Sequence, residues 1–106
     1  MRKGIAAMQA SAWNDGKNTY GIRVGLPNRN RYFSSDWDEI EVELDGRFYT
    51  FKLTPSFWRK CPEFRDSGEP IIRDWLMRHR SLDWPSGRPP KIELVPLGRG
   101  RFRLIP

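Results

Sequence analysis

The chain has one histidine and one cysteine, His79 and Cys61, the residue types that most often serve as nucleophiles, general bases or zinc ligands. A zinc site needs about four clustered ligands, and a cysteine–histidine pair would need these two residues side by side. His79 falls on the apolar face of a predicted helix, which favours a packed, hydrogen-bonded histidine. Cys61 is expected to be an inert thiol. Neither residue indicates catalysis.

Six acidic side chains lie between residues 36 and 45, and carboxylates can gather around a metal ion in nucleases. Three of them, Glu39, Glu41 and Glu43, alternate along one predicted strand and would lie about 7 Å apart on one face. A solvated strand face is the simpler interpretation. Gly98 to Gly100 also lacks the Gly-Lys-Ser/Thr ending of a phosphate loop. The sequence therefore predicts a protein without enzymatic activity, a metal site or a cofactor.

Residues suited to binding are more plentiful. Basic and aromatic side chains interleave in residues 29–33 and 57–65, and a polar loop runs from Asn14 to Asn18. Lysine and arginine neutralise phosphates, and arginine or asparagine can read base edges through paired hydrogen bonds. Any single arginine could simply keep the domain soluble, and any single aromatic side chain could belong to the hydrophobic core. Three separate polar, cationic loops exceed what solubility requires, so together they favour nucleic-acid binding.

Two other functions stay open beside double-stranded DNA binding. Arginine and exposed aromatic side chains also stack on unpaired bases, which would suit an RNA-binding domain. A protein- or carbohydrate-interaction module would instead use tryptophans: Trp13, Trp37, Trp58 and Trp84. Salt dependence separates these classes, because nucleic-acid affinity falls steeply with salt.

The composition is that of a single folded domain spanning residues 1–106. Hydrophobic residues make up 38% of the chain and aromatics 13%, which argues against disorder. No apolar stretch is long enough for a membrane span, and none follows Arg2 and Lys3 as in a signal peptide. Cys61 cannot form an internal disulfide. We therefore expect a soluble, cytoplasmic protein without a membrane partner.

The charge is unevenly distributed along the chain. The formal net charge is +6, with +5 on residues 1–35, −4 on residues 36–57 and +5 on residues 58–106. A purely solubilising surface would mix the signs more evenly. The pattern suggests a molecule with a negative side and a positive side, and a polyanion would bind the latter.

The clearest structural signal is a hairpin in residues 38–53. Ile40, Val42 and Leu44 alternate with glutamates, and Asp45-Gly46 favours a type I′ turn. With these two residues as the loop, the register follows on both faces. It pairs Val42 with Tyr49 and Ile40 with Phe51 on the buried side, and Glu41 with Thr50 and Glu39 with Lys52 on the other side.

The remaining elements are shorter. Strands are predicted at Ile5 to Trp13, Tyr20 to Leu26, Lys91 to Leu97 and Arg101 to Ile105, with a helical turn at Asn28 to Phe33. Residues 54–68 are expected to be irregular. A helix is predicted to start at Pro70. One face of it would carry Ile71, Ile72, Trp75, Leu76 and His79. Asp74 and Arg78, four positions apart, would pair on the outer side. The sum is a mainly β, α+β fold, a small open pseudobarrel of about six to seven short strands.

The order of these features resembles the DNA-binding pseudobarrel of the plant B-three type, also used by specificity domains of some restriction endonucleases. Tyr20 to Pro27 looks like its second strand and exit, Phe33 to Leu53 like its next hairpin, and Ile92 to Leu94 with Phe102 to Leu104 like its closing pair. A rival is the related barrel of bacterial transition-state regulators, which is built from swapped dimers of shorter chains.

The resemblance implies a non-enzymatic domain that grips the major groove with two loop arms. One arm would be Asn14 to Thr19, and the other Arg59 to Gly68. The implied DNA contacts are Asn14, Lys17 and Asn18 from the first arm, Arg59, Lys60, Glu63 and Arg65 from the second, and Arg29 and Arg31 on phosphates beside the groove. The partner would be double-stranded DNA, with RNA as the alternative, and the protein a small regulator or a detached specificity module.

Overall fold

The structure is a computed structural model that describes residues 7–106. It contains seven strands and two α-helices in the order β1 (Met8–Asn14), β2 (Tyr20–Arg23), α1 (Leu26–Tyr32), β3 (Glu39–Leu44), β4 (Arg47–Lys52), a 3₁₀ helix (Pro55–Trp58), β5 (Glu63–Arg65), α2 (Ile71–His79), β6 (Lys91–Gly98) and β7 (Arg101–Ile105). The predicted mainly β, α+β pseudobarrel is confirmed. Ile5 and Ala6, the predicted start of the first strand, lie outside the described residues.

The seven strands form one nearly closed sheet in the order β4-β3-β7-β6-β1-β2-β5. All neighbouring strands are antiparallel except β3 and β7, which are parallel. The two edge strands, β4 and β5, face each other at the seam. There the rings of Phe51 and Phe64 pack with their centroids 5.3 Å apart. Side-chain packing thus closes the barrel where the hydrogen-bond ladder stops.

The predicted hairpin is confirmed in its turn and in its register. Asp45 and Gly46 have φ angles of 53° and 86°, as a type I′ turn requires. Val42 pairs with Tyr49, and Ile40 with Phe51. The inward side chains of β3 are fully buried, whereas Glu39 and Glu41 are exposed.

One continuous core fills the barrel. Helix α2 contributes Ile72, Trp75 and Leu76, each 0% exposed, which confirms these three residues of its predicted apolar face. Ile71 is half-buried, and His79 is exposed, with its ring centroid 5.0 Å from that of Trp75. Helix α1 contributes no buried residue. Phe33, which follows it, stacks on Phe102 of β7 with the ring centroids 4.8 Å apart. Within residues 7–106, no helix has the length and apolar character needed to cross a membrane.

Several element boundaries differ from the sequence prediction, and the largest differences are in β2, α1 and residues 54–68. Strand β2 ends at Arg23 instead of Leu26, because Gly25 takes a φ of 86° and turns the chain into α1. Pro27 lies in the first turn of that helix, where it needs no N–H donor, and Leu26 is exposed. The stretch 54–68, predicted to be irregular, contains the 3₁₀ helix and β5.

The predicted Asp74–Arg78 pair is wrong. Arg78 Nη2 instead lies 2.8 Å from Asp45 Oδ2 in the hairpin turn, and Arg73 is the residue beside Asp74. His79 Nε2 hydrogen-bonds the same Asp45 carboxylate at 2.8 Å. These contacts tie the end of α2 to the β3–β4 turn. Arg78 donates to Asp45 Oδ2 through both Nε and Nη2, and such a charge-assisted double contact is stronger than a single one.

The acidic strand β3 is paired along its outer face. Arg101 Nε lies 3.3 Å from Glu41, and Arg103 Nε lies 2.8 Å from Glu43. Both arginines belong to the neighbouring strand β7, so the basic C-terminal block runs alongside the acidic block. The charge segments suggest a separate negative side, but along β3 Glu41 and Glu43 are paired with arginines of β7.

Candidate nucleic-acid interface

The outer face of strands β1, β2 and β5 gathers polar and cationic side chains. Along each strand the inward positions are apolar and buried, among them Ala12, Ile22 and Phe64. The alternate positions point outward. They are Gln9, Ser11 and Trp13 on β1, Gly21 and Arg23 on β2, and Glu63 and Arg65 on β5. We call these seven residues the β1–β2–β5 face.

A buried carboxylate organises this face. The Glu63 side chain is 1% exposed, and its two oxygens bind two different arginines. Oε1 lies 3.4 Å from Arg23 Nη2, and Oε2 lies 2.9 Å from Arg65 Nη2. A carboxylate removed from water is tolerated only when it is paired in this way. Glu63, predicted to contact DNA, therefore lies beneath the two guanidinium groups and holds them at the surface.

Arg65 is held from a second side by Trp13. Its Cζ lies 4.5 Å from the centre of the indole ring, a cation–π arrangement. The register places Gly21 of β2 between them, opposite both Trp13 and Arg65. A Cβ at Gly21 would lie 2.5 Å from the carbonyl oxygen of Phe64. Because Gly21 has no side chain, β5 can approach β2 closely and Arg65 can contact Trp13 across it.

The residue after Arg65 anchors helix α2. Asp66 Oδ1 accepts a hydrogen bond from the Ile72 N–H at 2.7 Å, and Oδ2 accepts one from the Arg73 N–H at 3.0 Å. Burial raises the pKa of Asp66, against the effect of these backbone N–H groups. The end of β5 is thereby fixed to the start of α2.

The loop of residues 15–19 lies at one end of the β1–β2–β5 face. Asn14 Oδ1 accepts the Gly16 N–H at 2.8 Å, and Asp15 Oδ1 accepts the N–H groups of Lys17 and Thr19. The N–H of Lys17 is the main cause that lowers the pKa of Asp15. These Asx turns shape the loop and leave Lys17 and Asn18 exposed.

The segment of residues 53–62 lies at the opposite end, because β5 runs antiparallel to β2. Arg29 of α1 braces it: Nη1 donates to the carbonyl oxygens of Phe57 and Arg59 at 3.1 and 3.2 Å. Nε and Nη2 of Arg29 donate to Asn30 Oδ1. The predicted phosphate contact thus has its donors engaged within the protein. Arg59 and Lys60, which it positions, are exposed.

The predicted contact residues therefore fall into several groups. Lys17 and Asn18 lie at one end of the face, Arg59 and Lys60 at the other, and Arg65 between them. Arg31 is exposed on α1 and stacks on Tyr32 with Cζ 5.3 Å from the ring centre. Two positions apart on a helix, Arg29 and Arg31 point in different directions.

Arg23 was absent from the predicted contacts, although it is central to the face. Its signal was the alternation of Gly21 and Arg23 with buried Ile22, which shows that Arg23 points outward. The position of Glu63, which pairs with Arg23, could not be predicted in the same way, because β5 has only three residues.

The tryptophans do not form one platform. Trp37 packs on Phe33 and Phe102, and Trp58 packs on Phe57. Trp84 contacts Tyr20, with the ring centroids 6.3 Å apart. Trp13 and Trp84 meet at a common cleft, which also includes Arg23.

Over the described range, 7–106, no three histidine, cysteine, aspartate or glutamate side chains are grouped so that they could hold a metal ion. Comparison of the chain with protein-family models, with curated proteins and with solved structures gives no significant match.

Proposed function

We propose that the chain is a non-enzymatic double-stranded-DNA-binding domain. The β2 and β5 part of the β1–β2–β5 face, which carries Arg23 and Arg65, would enter the major groove, with residues 15–19 and 53–62 as arms on its two sides. The observation that carries the proposal is the buried Glu63 that holds Arg23 and Arg65 at the surface. Burying a carboxylate is costly, and here it pairs with two partly exposed guanidinium groups whose hydrogen bonds to Glu63 use Nη2 alone.

The dimensions of the face suit a duplex groove. The axes of neighbouring strands lie about 5 Å apart, and the major groove of B-DNA, about 12 Å wide, admits a two-stranded ribbon such as β2 and β5. Exposed cations at both ends, Lys17 on one side and Arg59 with Lys60 on the other, could reach the phosphates that border the groove.

The element order supports the same proposal. A loop joins β1 to β2, and a longer segment with a 3₁₀ helix leaves β4 ahead of β5 and α2. The B-three resemblance expects its two arms after the first and fourth strands. The predicted second arm, Arg59 to Gly68, is wrong in its bounds, because residues 63–65 form strand β5 of the sheet, so the arm that we propose ends at residue 62. We further propose a cytoplasmic location and a role as a small regulator or a detached specificity module.

Single-stranded RNA is the second candidate, and one observation favours it. The cleft lined by Trp13, Trp84 and Arg23 combines aromatic surface with a cation, the combination on which unpaired bases stack. Arg65 already covers one side of the Trp13 ring, which leaves less aromatic surface for a base.

The test is an NMR titration of the labelled full chain with a random-sequence duplex, a single-stranded RNA of equal length and a glycan panel, each at low and moderate salt. The proposal expects salt-dependent shifts for the duplex, centred on Ser11, Arg23, Arg65 and the two arms. Stronger binding of the RNA, or salt-independent glycan shifts at the tryptophan indoles, would replace DNA with the corresponding alternative.

A further inference from the structure

We infer that Arg23 and Arg65 read two nearby guanines and that Glu63 is the residue that positions both arginines for this task. The inference rests on the proposed binding of double-stranded DNA and specifies what that site would recognise. It assigns a sequence preference to the domain and a specific role to a buried residue.

The hydrogen-bonding capacity of the two arginines fits guanine. Among the described residues, the guanidinium hydrogen bonds of Arg23 and Arg65 go to Glu63 alone, and each uses Nη2. A guanidinium has five N–H donors, so each arginine keeps donors for a second, paired contact. Guanine presents two acceptors, O6 and N7, on its major-groove edge, and arginine bound to both is the commonest specific contact with DNA.

The shared carboxylate limits the distance between the two bases. Because both Nη2 atoms contact oxygens of Glu63, the guanidinium groups lie side by side, at 3.4 and 2.9 Å from its two oxygens. Neighbouring base pairs are stacked about 3.4 Å apart along the helix axis. The two guanines should therefore be adjacent or separated by one base pair.

Glu63 and Trp13 also reduce the freedom of the arginines. An unrestrained arginine loses much side-chain entropy when it binds, whereas an arginine already held in place loses less. Arg65 is held by Glu63 below and by the Trp13 ring beside it, and Arg23 is held by Glu63. Base preference should thus depend on Glu63 even though its carboxylate cannot reach a ligand.

The test begins with selection from a randomised duplex library by the full chain at fixed salt, followed by competition binding. The parent should enrich two guanines within three base pairs. Arg23→Lys and Arg65→Lys keep the charge but lose the paired donors, so each should lose one of the two guanines. The preference at that position should fall by about 5- to 150-fold.

Substitution of 7-deazaguanine in the enriched duplex removes the N7 acceptor. It should weaken binding by the parent and have less effect on each lysine variant at the position that the variant no longer reads. Arg103→Lys is the matched control, because Arg103 is also paired with a glutamate and is similarly exposed, at 47% against 49% for Arg23. It should enrich the parental motif.

Glu63→Gln should relax the preference at both guanines while binding to unselected duplex persists. If this variant fails to fold, the two lysine variants decide the matter, since their exposed side chains leave the core unchanged. A parental motif without guanines, or lysine variants that keep both guanines, would overturn the inference while leaving duplex binding intact. A parent that binds no duplex at low salt would reject the proposed function and this inference together.

Discussion

The Arg65 guanidinium lies 4.5 Å from the centre of the Trp13 ring, although their strands do not pair with each other. Strand β2 separates them, and its Gly21 stands opposite both residues. A side chain at this position would occupy the space through which the two residues meet. The glycine is therefore a steric requirement of the proposed binding face.

Gly21→Ala tests that requirement. The added Cβ would lie 2.5 Å from the Phe64 carbonyl oxygen, so β5 must shift outward. We expect the free energy of unfolding to fall by about 1–3 kcal/mol, measured by denaturant titration. Ser11→Ala, on the same face, should change it by less than about 0.5 kcal/mol. Equal stability of the parent and Gly21→Ala would show that β5 tolerates the displacement.

The barrel core can be tested on β3. Val42 is 0% exposed, so Val42→Ala should lower the free energy of unfolding by about 1–3 kcal/mol through lost apolar burial and a small cavity. Glu41→Ala removes only a half-exposed ion pair with Arg101 and should be nearly neutral. Thermal melts that show equal losses for the two variants would contradict the assignment of the strand faces.

The tie between α2 and the hairpin turn predicts a pH dependence. The hydrogen bond from Arg78 lowers the pKa of Asp45, partial desolvation opposes it, and His79 lowers the pKa further. Because the folded pKa lies below the ordinary value of 3.8, Asp45 stabilises the fold above about pH 4. This contribution is lost as the pH falls through the folded pKa.

Asp45→Asn removes that contribution and keeps a residue type that tolerates positive φ. Unfolding titrations should show the variant less stable by about 0.5–1 kcal/mol at pH 6, with the difference shrinking towards pH 3. A difference that does not change with pH would mean that the charge of Asp45 has no part in the contact.

The role of Arg29 predicts a distinct pattern for the second arm. Arg29→Ala removes the donors to Phe57 and Arg59, so amide exchange in residues 57–61 should accelerate and duplex affinity should fall with an unchanged salt slope. Lys60→Ala should instead lower the salt slope by about one unit, as loss of a phosphate contact does. A lower salt slope for Arg29→Ala would restore Arg29 as a phosphate contact.

Local patterns were enough to predict most of the fold. The β3–β4 hairpin has strict alternation and a turn pair that admits positive φ, so its register followed from the sequence. Helix α2 and the closing strands β6 and β7 were also predicted, because apolar residues recur along each of them at the spacing typical of its secondary structure.

The organisation of the candidate site could not be predicted in the same way. Strand β5 is too short for its alternation to stand out, and the resemblance implies Glu63 as a DNA contact instead of a buried carboxylate. Its burial depends on Arg23, which is 40 positions away in the chain and becomes its neighbour only through the pairing of β2 with β5. Likewise, no local pattern shows that Arg29 turns inward to brace residues 57–59.

The decisive measurement is the salt dependence of binding to a labelled random-sequence duplex, by fluorescence anisotropy, for the parent, Arg23→Gln and Arg103→Gln. Both variants lose one charge from a half-exposed arginine paired with a glutamate, so general electrostatics changes equally. We predict steep loss of parental affinity with salt, weaker binding by Arg23→Gln and nearly parental binding by Arg103→Gln. No duplex binding at low salt, or equal weakening by both variants, would contradict DNA binding through the β1–β2–β5 face.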